Sequence, residues 1–234
     1  MESEQLADNV QYHSLVGALL YLATNTRPDI AATVSILSRR SSRPTQRDWV
    51  ELKRVVRYLI GTEDYVLKLG LEQERLTLTG FSDAAWAGDT SDRRSTSGFV
   101  FLFGGAAVSW GSRKQNCVTM STMEAEYVAL SEATQEAVWL RRLLNELGEE
   151  QLQPTKINED NRSCIDFVSN ERQNKRSEHI DTGIHLAKDL RIKGHIRLEY
   201  CPADEMVADI FTKPLGPQKI NKYIVDLGLT KLGK

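Results

Sequence analysis

Cysteine is scarce in this chain. Cys117, Cys164 and Cys201 are odd in number, far apart and include no C-x-x-C pair. That argues against a disulfide framework and a structural zinc site, and for a reduced, intracellular setting. Long hydrophobic runs are also missing. The longest, LVGALLYLA at residues 15–23, is too short to cross a bilayer. The acidic start MESEQLADN lacks the basic-then-apolar pattern of a secretion signal. Neither sign of charge dominates: 30 Lys and Arg stand against 32 Asp and Glu, a net charge of −2. A generally basic nucleic-acid binder is therefore disfavoured, while a local basic surface is not. What remains is ample apolar material, 41% of 234 residues, enough to bury the core of one large domain or two small ones.

Residues 11–70 read as helical throughout. QYHSLVGALLYLATN carries apolar residues at helical spacing and stops before Pro28. DIAATVSILSRRSS and QRDWVELKRVVRYLIGT follow, the last ending near Gly61. From about residue 66 the period changes to two. YVLKLG, LTLTGFSD, SGFVFLFGG and AAVSWGSRK read as strands, and Gly104-Gly105 marks a hairpin. A long helix starts behind Ser121 and Thr122 and ends at Gly148. TKINEDN is a strand, residues 161–169 a short helix, HIDTGIHLAKDLRIKG a longer one, HIRLEYCP a strand, and MVADIFTKPL a helix stopped by Pro214. The order β-β-β-α-β-α-α-β-α predicts an α/β fold, a mixed sheet flanked by helices, behind an all-α segment. The boundaries expected are 1–70, 71–215 and 216–234.

Four acids occupy special places. Asp83 ends the first strand of the α/β part, and Asp160 ends TKINED. Glu126 heads a helical face of small and apolar residues, Ala129, Leu130 and Ala133. Asp209 sits between Ala208 and Ile210. Carboxylates so placed suit magnesium, a hard cation that takes oxygen ligands. A pair of such ions can activate water and stabilise the leaving oxygen of a phosphoryl displacement. Spacing alone equally allows four unrelated surface acids. Glu124, about 200° round the helix from Glu126, remains an alternative.

The stretches YHSLVGALLYLATNTRPDIAATVSILSR, GFSDAAWAGDTSDRRSTSGFVFLFGGAAVSWGSRKQ, STMEAEYVALSEA, EDNRSCI, HIDTGIHLAKD and VADIFTKPL, in that order, resemble the C-terminal part of copia-type LTR-retrotransposon Pol polyproteins. Residues 1–70 resemble the thumb or connection region that ends the reverse transcriptase, and the following part resembles its ribonuclease H domain. The resemblance implies a ribonuclease H-like five-stranded sheet. It also implies a metal-dependent endonuclease that cuts the RNA strand of RNA–DNA hybrids during reverse transcription. Asp83, Glu126, Asp160 and Asp209 match the motif acids and would hold two Mg2+ ions, with Mn2+ as a substitute. Asp83 would bridge the ions, Glu126 and Asp160 would hold one, and Asp209 the other. Partners implied are the hybrid and the upstream polymerase region, without a membrane. The location implied is a cytoplasmic virus-like particle, or the nucleus. Two departures stand out: Glu178 replaces the usual Lys before HID, and Arg162 replaces the commoner Gln.

The remaining residues carry two readings each. Residues 39–57 hold seven Lys and Arg against two acids. Arg39, Arg40, Lys53, Arg54 and Arg57 can grip a phosphate backbone or line a solvated helix face. Arg93, Arg94 and Ser95 form a donor-rich turn, and Lys114 with Gln115 ends a strand; both can meet phosphates. Asn161 and Ser163 can touch an RNA 2′-OH or cap the following helix. His179 matches a product-release histidine of ribonucleases H, or packs against the sheet, as does His185. Trp86, Trp110 and Trp139 read as core or edge aromatics. A second functional class stays open: a retrotransposon-derived, non-catalytic module that binds nucleic acid or scaffolds a polymerase.

Overall fold

The computed structural model describes residues 4–6, 9–70, 76–89, 91–170 and 181–232, the last of these beginning with five residues of helical backbone alone. His179 and the side chain of His185 lie outside the described residues, as does Glu178. The helical segment forms α1 (Val10–Asn25), α2 (Ala31–Ser38) behind a 3-10 turn at Pro28–Ile30, and α3 (Gln46–Gly61). Thr45 begins α3 with a full capping box: its hydroxyl accepts from the Asp48 N–H, and the Asp48 carboxylate accepts from the Thr45 N–H. β1 (Tyr65–Leu67) closes this segment.

The five-stranded sheet holds β2 (Thr79–Ala85), β3 (Thr96–Phe103), β4 (Ala106–Lys114), β5 (Thr155–Glu159) and β6 (Ile196–Tyr200). Its order is β4-β3-β2-β5-β6. The first three strands pair antiparallel, whereas β2 pairs parallel with β5 and β5 with β6. The sheet is mixed and flanked by helices, as the motif order predicts. Gly104 and Gly105, at φ +60° and +82°, supply the left-handed backbone that a two-residue hairpin requires. α4 (Thr122–Glu146), α5 (Arg162–Ser169) and α6 (Asp181–Ile192) follow in the expected places.

Both faces of the sheet are buried. Phe99 and Phe101 of β3 face one layer, packed with Leu130, Ala133 and Ala137 of α4. Val100 faces the other layer, with Val16 and Val34 of the helical segment and Phe211, Tyr223 and Leu227 from the C-terminal part. This two-sided burial explains the unbroken apolar run in β3, which carries no polar alternation. The helical segment and the sheet thus share one core. Trp110 fastens them, its indole N–H donating to the Ala23 carbonyl at 2.7 Å, while Trp86 and Trp139 stay largely exposed. The chain closes with α7 (Pro217–Asp226) and β7 (Leu229–Lys231), and β7 pairs antiparallel with β1.

One element differs from expectation. MVADIFTKPL is a five-residue 3-10 helix, Val207–Phe211, not a longer α-helix. It lies across β3 at Gly98, where an added Cβ would stand 2.5 Å from Thr212 Cγ2 and 2.8 Å from Phe211 Cβ. The tight approach ends the helix there and turns Thr212 and Lys213 back toward β2.

Candidate active site

Strand alternation sets Asp83 on the same face of β2 as Phe81, toward the 3-10 helix, and the register pairs it with Gly98 of β3. Asp160 follows β5, the parallel neighbour of β2. Glu126 lies on the inner face of α4 with Leu130, Ala133 and Ala137. Asp83, Glu126 and Asp160 each offer one carboxylate oxygen, and these oxygens lie within 4.8 Å of one another. Asp83 and Glu126 are buried and Asp160 is half-buried.

Glu124 faces elsewhere. Its carboxylate accepts from the Met120 N–H at 2.7 Å, and its own N–H donates to Ser121 Oγ. It sits in the first turn of α4 behind the Ser121 cap, two residues and a large rotation away from Glu126. Asp209, 1% exposed, stands apart from the three-acid group in a different way. Lys213 Nζ lies 2.5 Å from one of its oxygens and Lys219 Nζ 3.1 Å from the other. Lys213 also reaches within 3.8 Å of Asp83, and the Thr212 hydroxyl donates to Asp83 Oδ2.

The electrostatics follow from burial. Desolvation pushes the Asp83 carboxyl up to about 6, Lys213 and Thr212 hold it down in part, and Asp209 and Asp160 push it further. Glu126 is raised much more, first by burial and then by Glu159, Asp83 and Asp160. Asp160 is raised by burial and by Asp209. Glu159 is fully buried and raised by burial above all, with only the Asn161 N–H favouring its charged form. Residue reading missed this fifth acid. Its signal was present: a Glu one residue before Asp160, in a strand whose neighbours on both sides are covered.

These acids fit a divalent cation. They form an all-oxygen donor set, and one oxygen each of Glu126 and Glu159 has no hydrogen-bond partner among the described residues. Such unpaired, crowded oxygens are costly unless a positive charge joins them or a proton neutralises them.

The other predicted contacts scatter. Arg39 and Arg40 flank a cavity that also touches Thr212 and Lys213. Lys53, Arg54 and Arg57 lie exposed on α3, where Lys53 covers the Trp49 ring and Arg54 pairs with Glu51. Arg93 is exposed and Arg94 half-buried, 3.7 Å from Asp92. Ser95 is fully buried: its hydroxyl accepts from the Ala87 N–H and bonds Thr119, so it meets no surface. Lys114 is tied to Asp89 and Asp92 at 2.6 and 2.8 Å, and Gln115 is buried, donating to Ser97 and the Ala125 carbonyl. Asn161 caps α5 by accepting from the Cys164 N–H, and Ser163 is exposed beside it. Arg162 stacks 4.3 Å over the Tyr200 ring.

No protein-family model matches the chain. Curated proteins do. The retrovirus-related Pol polyprotein from transposon TNT 1-94 of Nicotiana tabacum is 38% identical over 204 residues, covering 87% of this chain and 15% of that protein. The Pol polyprotein from transposon RE2 of Arabidopsis thaliana is 36% identical over 230 residues, 97% of this chain and 16% of that protein. The chain therefore spans only about a sixth of these polyproteins. The secreted RxLR effector protein 161 of Plasmopara viticola is 55% identical over 135 residues, 56% of this chain and 92% of that protein. Among solved structures, the foamy viral protease-reverse transcriptase dRH in complex with double-stranded DNA is 10% identical with a TM-score of 0.51, covering 86% of this chain and 33% of that one. LC11-RNase H1, isolated from compost, is 14% identical with a TM-score of 0.45, covering 63% of this chain and 98% of that one. Identities this low speak to fold alone, here an α/β fold with a mixed five-stranded sheet flanked by helices.

Proposed function

This chain belongs to the copia-type retrotransposon Pol polyproteins, and from that premise we propose that it hydrolyses the RNA strand of RNA–DNA hybrids with divalent cations. The observation that carries the reading is the meeting of Asp83, Glu126 and Asp160 from three elements, with oxygens within 4.8 Å and one Glu126 oxygen unpaired. Asp83, Glu126 and Asp160 would hold the cation. Asp83 and Asp209 would hold a second, once Lys213 yields its place. When bound, magnesium or manganese supplies the Lewis acidity that phosphodiester hydrolysis needs.

The chain's own groups do the rest. The buried pocket keeps the carboxylates in place and largely out of bulk water, so their charge acts at short range. The Thr212 hydroxyl fixes the Asp83 carboxylate. Lys213 and Lys219 pair with the two oxygens of the buried Asp209 carboxylate. Asn161 and Ser163, beside Asp160, stand where an RNA 2′-OH could be read, and the exposed bases of α3 and of the turn at Arg93 offer phosphate contacts. In this reading residues 1–70 are the end of a polymerase whose upstream part is a partner, and reverse transcription takes place in a cytoplasmic particle.

The test is cleavage of an end-labelled RNA–DNA hybrid with magnesium. Wild type should cut. Asp83→Asn and Glu126→Gln should each lose about 3 kcal/mol or more of transition-state stabilisation, on the order of a hundred-fold in rate. A well-folded wild type that fails to cut with either magnesium or manganese would overturn the reading in favour of a non-catalytic binding or scaffolding module.

A further inference from the structure

Arg39 follows the last turn of α2 and turns toward the sheet. Its guanidinium is half-buried, and its hydrogen bonds go to one atom, Thr96 Oγ1, at 3.3 and 3.4 Å. Both lengths are at the weak end for such a bond. Among the described residues it forms no ion pair. The nearest acids that act on it, Asp89 and Asp92, are already held by Lys114. Burial lowers its ordinary value, yet a guanidinium stays charged in proteins. The fold therefore carries a desolvated cation with one weak partner, an arrangement that costs stability unless an anion completes it.

The guanidinium borders a cavity of about 240 Å³. Thr96 and Thr212 supply hydroxyls to its wall, Arg40 and Lys213 add positive charge, and Asp89 is the acid there. Asp89 is held well below the usual carboxylate range by Lys114 and Ser91, so it is charged but already paired. Thr212 and Lys213 are also the two residues that touch Asp83. The cavity is thus the neighbour of the carboxylate group, reached over a shared wall.

We propose that this cavity seats a backbone phosphate of the bound nucleic acid, next to the phosphate held at the carboxylates, with Arg39 as its half-buried anchor and Arg40 as its exposed arm. The proposal rests on the hydrolase reading above for the identity of the ligand. A guanidinium fork matches two phosphate oxygens, and the Thr96 hydroxyl, which accepts from Arg39, keeps its own proton to donate. Three cationic side chains, Arg39, Arg40 and Lys213, against the single paired acid Asp89 leave the lining with a positive charge that suits an anion. The seat is built jointly, by α2 of the helical segment and by β3 with the 3-10 helix, which makes the helical segment part of the substrate site.

The experiment is binding of a fluorescein-labelled RNA–DNA hybrid to the full chain in EDTA, where no cleavage occurs, across a range of salt. Arg39→Gln keeps a donor for Thr96 but loses the charge. Its affinity at low salt should fall on the order of tenfold, and the salt slope should shrink by about one. Arg39→Lys should recover part of both. An unchanged affinity and slope in a folded Arg39→Gln overturns the seat. Should that variant not fold, Arg40→Gln on the exposed arm decides: a smaller slope supports the seat, and an unchanged one overturns it. A wild type that binds no hybrid also overturns it. A wild type that binds but does not cut with magnesium defeats the hydrolase reading alone, whereas one that cuts with an Arg39-independent slope defeats the seat alone.

Discussion

The ammonium of Lys213 lies 2.5 Å from the buried carboxylate of Asp209 and leans toward Asp83, 3.8 Å away. It occupies the space between two acids that a cation would bridge. Burial alone would lower the Lys213 ammonium, but Asp83 and Asp209 outweigh it and raise it. Lys213→Met should therefore have two opposite effects. Stability without divalent cations should fall by about 1–2 kcal/mol, less than for a fully buried pair because the ammonium is partly exposed and Lys219 remains. Affinity for Mn2+ should rise several-fold, because a competing cation is gone. Manganese titration followed by electron paramagnetic resonance reads the second effect, and weaker manganese binding would refute it.

The acids predict an unusual pH dependence. Asp83 holds its proton more tightly in the folded chain, at about 6, than at its ordinary 3.8. The folded state then binds more protons through that window, so this group's contribution to stability falls as pH rises from about 4 to about 6 and stays lost above. Asp83→Asn should escape the loss. In EDTA its unfolding free energy should exceed that of wild type by about 2–3 kcal/mol at pH 8 and match it near pH 4. Denaturant melts at both pH values check the crossover, and a gap that widens toward acid would contradict it.

Glu124 and Glu126 should separate cleanly. Glu124→Ala removes the acceptor of the Met120 N–H and should cost about 1 kcal/mol of stability with little effect on Mn2+ affinity. Glu126→Gln should weaken Mn2+ binding about ten-fold or more while leaving the fold at least as stable, since burial disfavours the ionised carboxyl and Gln is its neutral isostere. Calorimetry on both variants is sufficient. The opposite pattern would make Glu124 the ligand.

Gly98→Ala tests how the 3-10 helix is held. The new Cβ would stand 2.5 Å from Thr212 Cγ2 and 3.1 Å from the Ala208 carbonyl. Overpacking of this kind costs about 1–3 kcal/mol, and it should push Asp209 and Thr212 away from Asp83. Hybrid cleavage should drop far more than stability, while Gly17→Ala, inside α1 where an added Cβ meets nothing within 4 Å, should leave cleavage unchanged and raise stability by up to about 1 kcal/mol.

Much of this was legible before any coordinates. Period-two alternation gave the strands, the Ser121 cap gave the start of α4, and the spacing of small residues on α4 singled out Glu126. Pairings between distant residues were not legible. Lys213 meets Asp83 across 130 positions, and nothing local marks a lysine as the partner of a buried acid rather than a surface charge. Ser95 looked like a surface donor because its neighbours are polar, yet the strand it precedes draws it inward to Thr119. Glu159 was overshadowed by Asp160, since one strand-end acid seemed sufficient. The sequence of residues 1–70 does not show what their apolar helix faces pack against. Those faces meet the far side of the sheet at Val100 and Ala107, and the C-terminal part at Val207, Phe211, Tyr223 and Leu227.

The pairing of β1 with β7 has a consequence for synthesis. Tyr65 waits for Lys231, and the Lys68 N–H for the Gly228 carbonyl. A ribosome adding about 5–20 residues per second needs roughly 10–30 s to deliver that partner. Through that interval α1, α2 and α3 lack Phe211, Tyr223 and Leu227, with which they share a core. This protein should therefore lean on chaperones while it is being made, and a premature stop codon anywhere before residue 229 should yield an aggregating product.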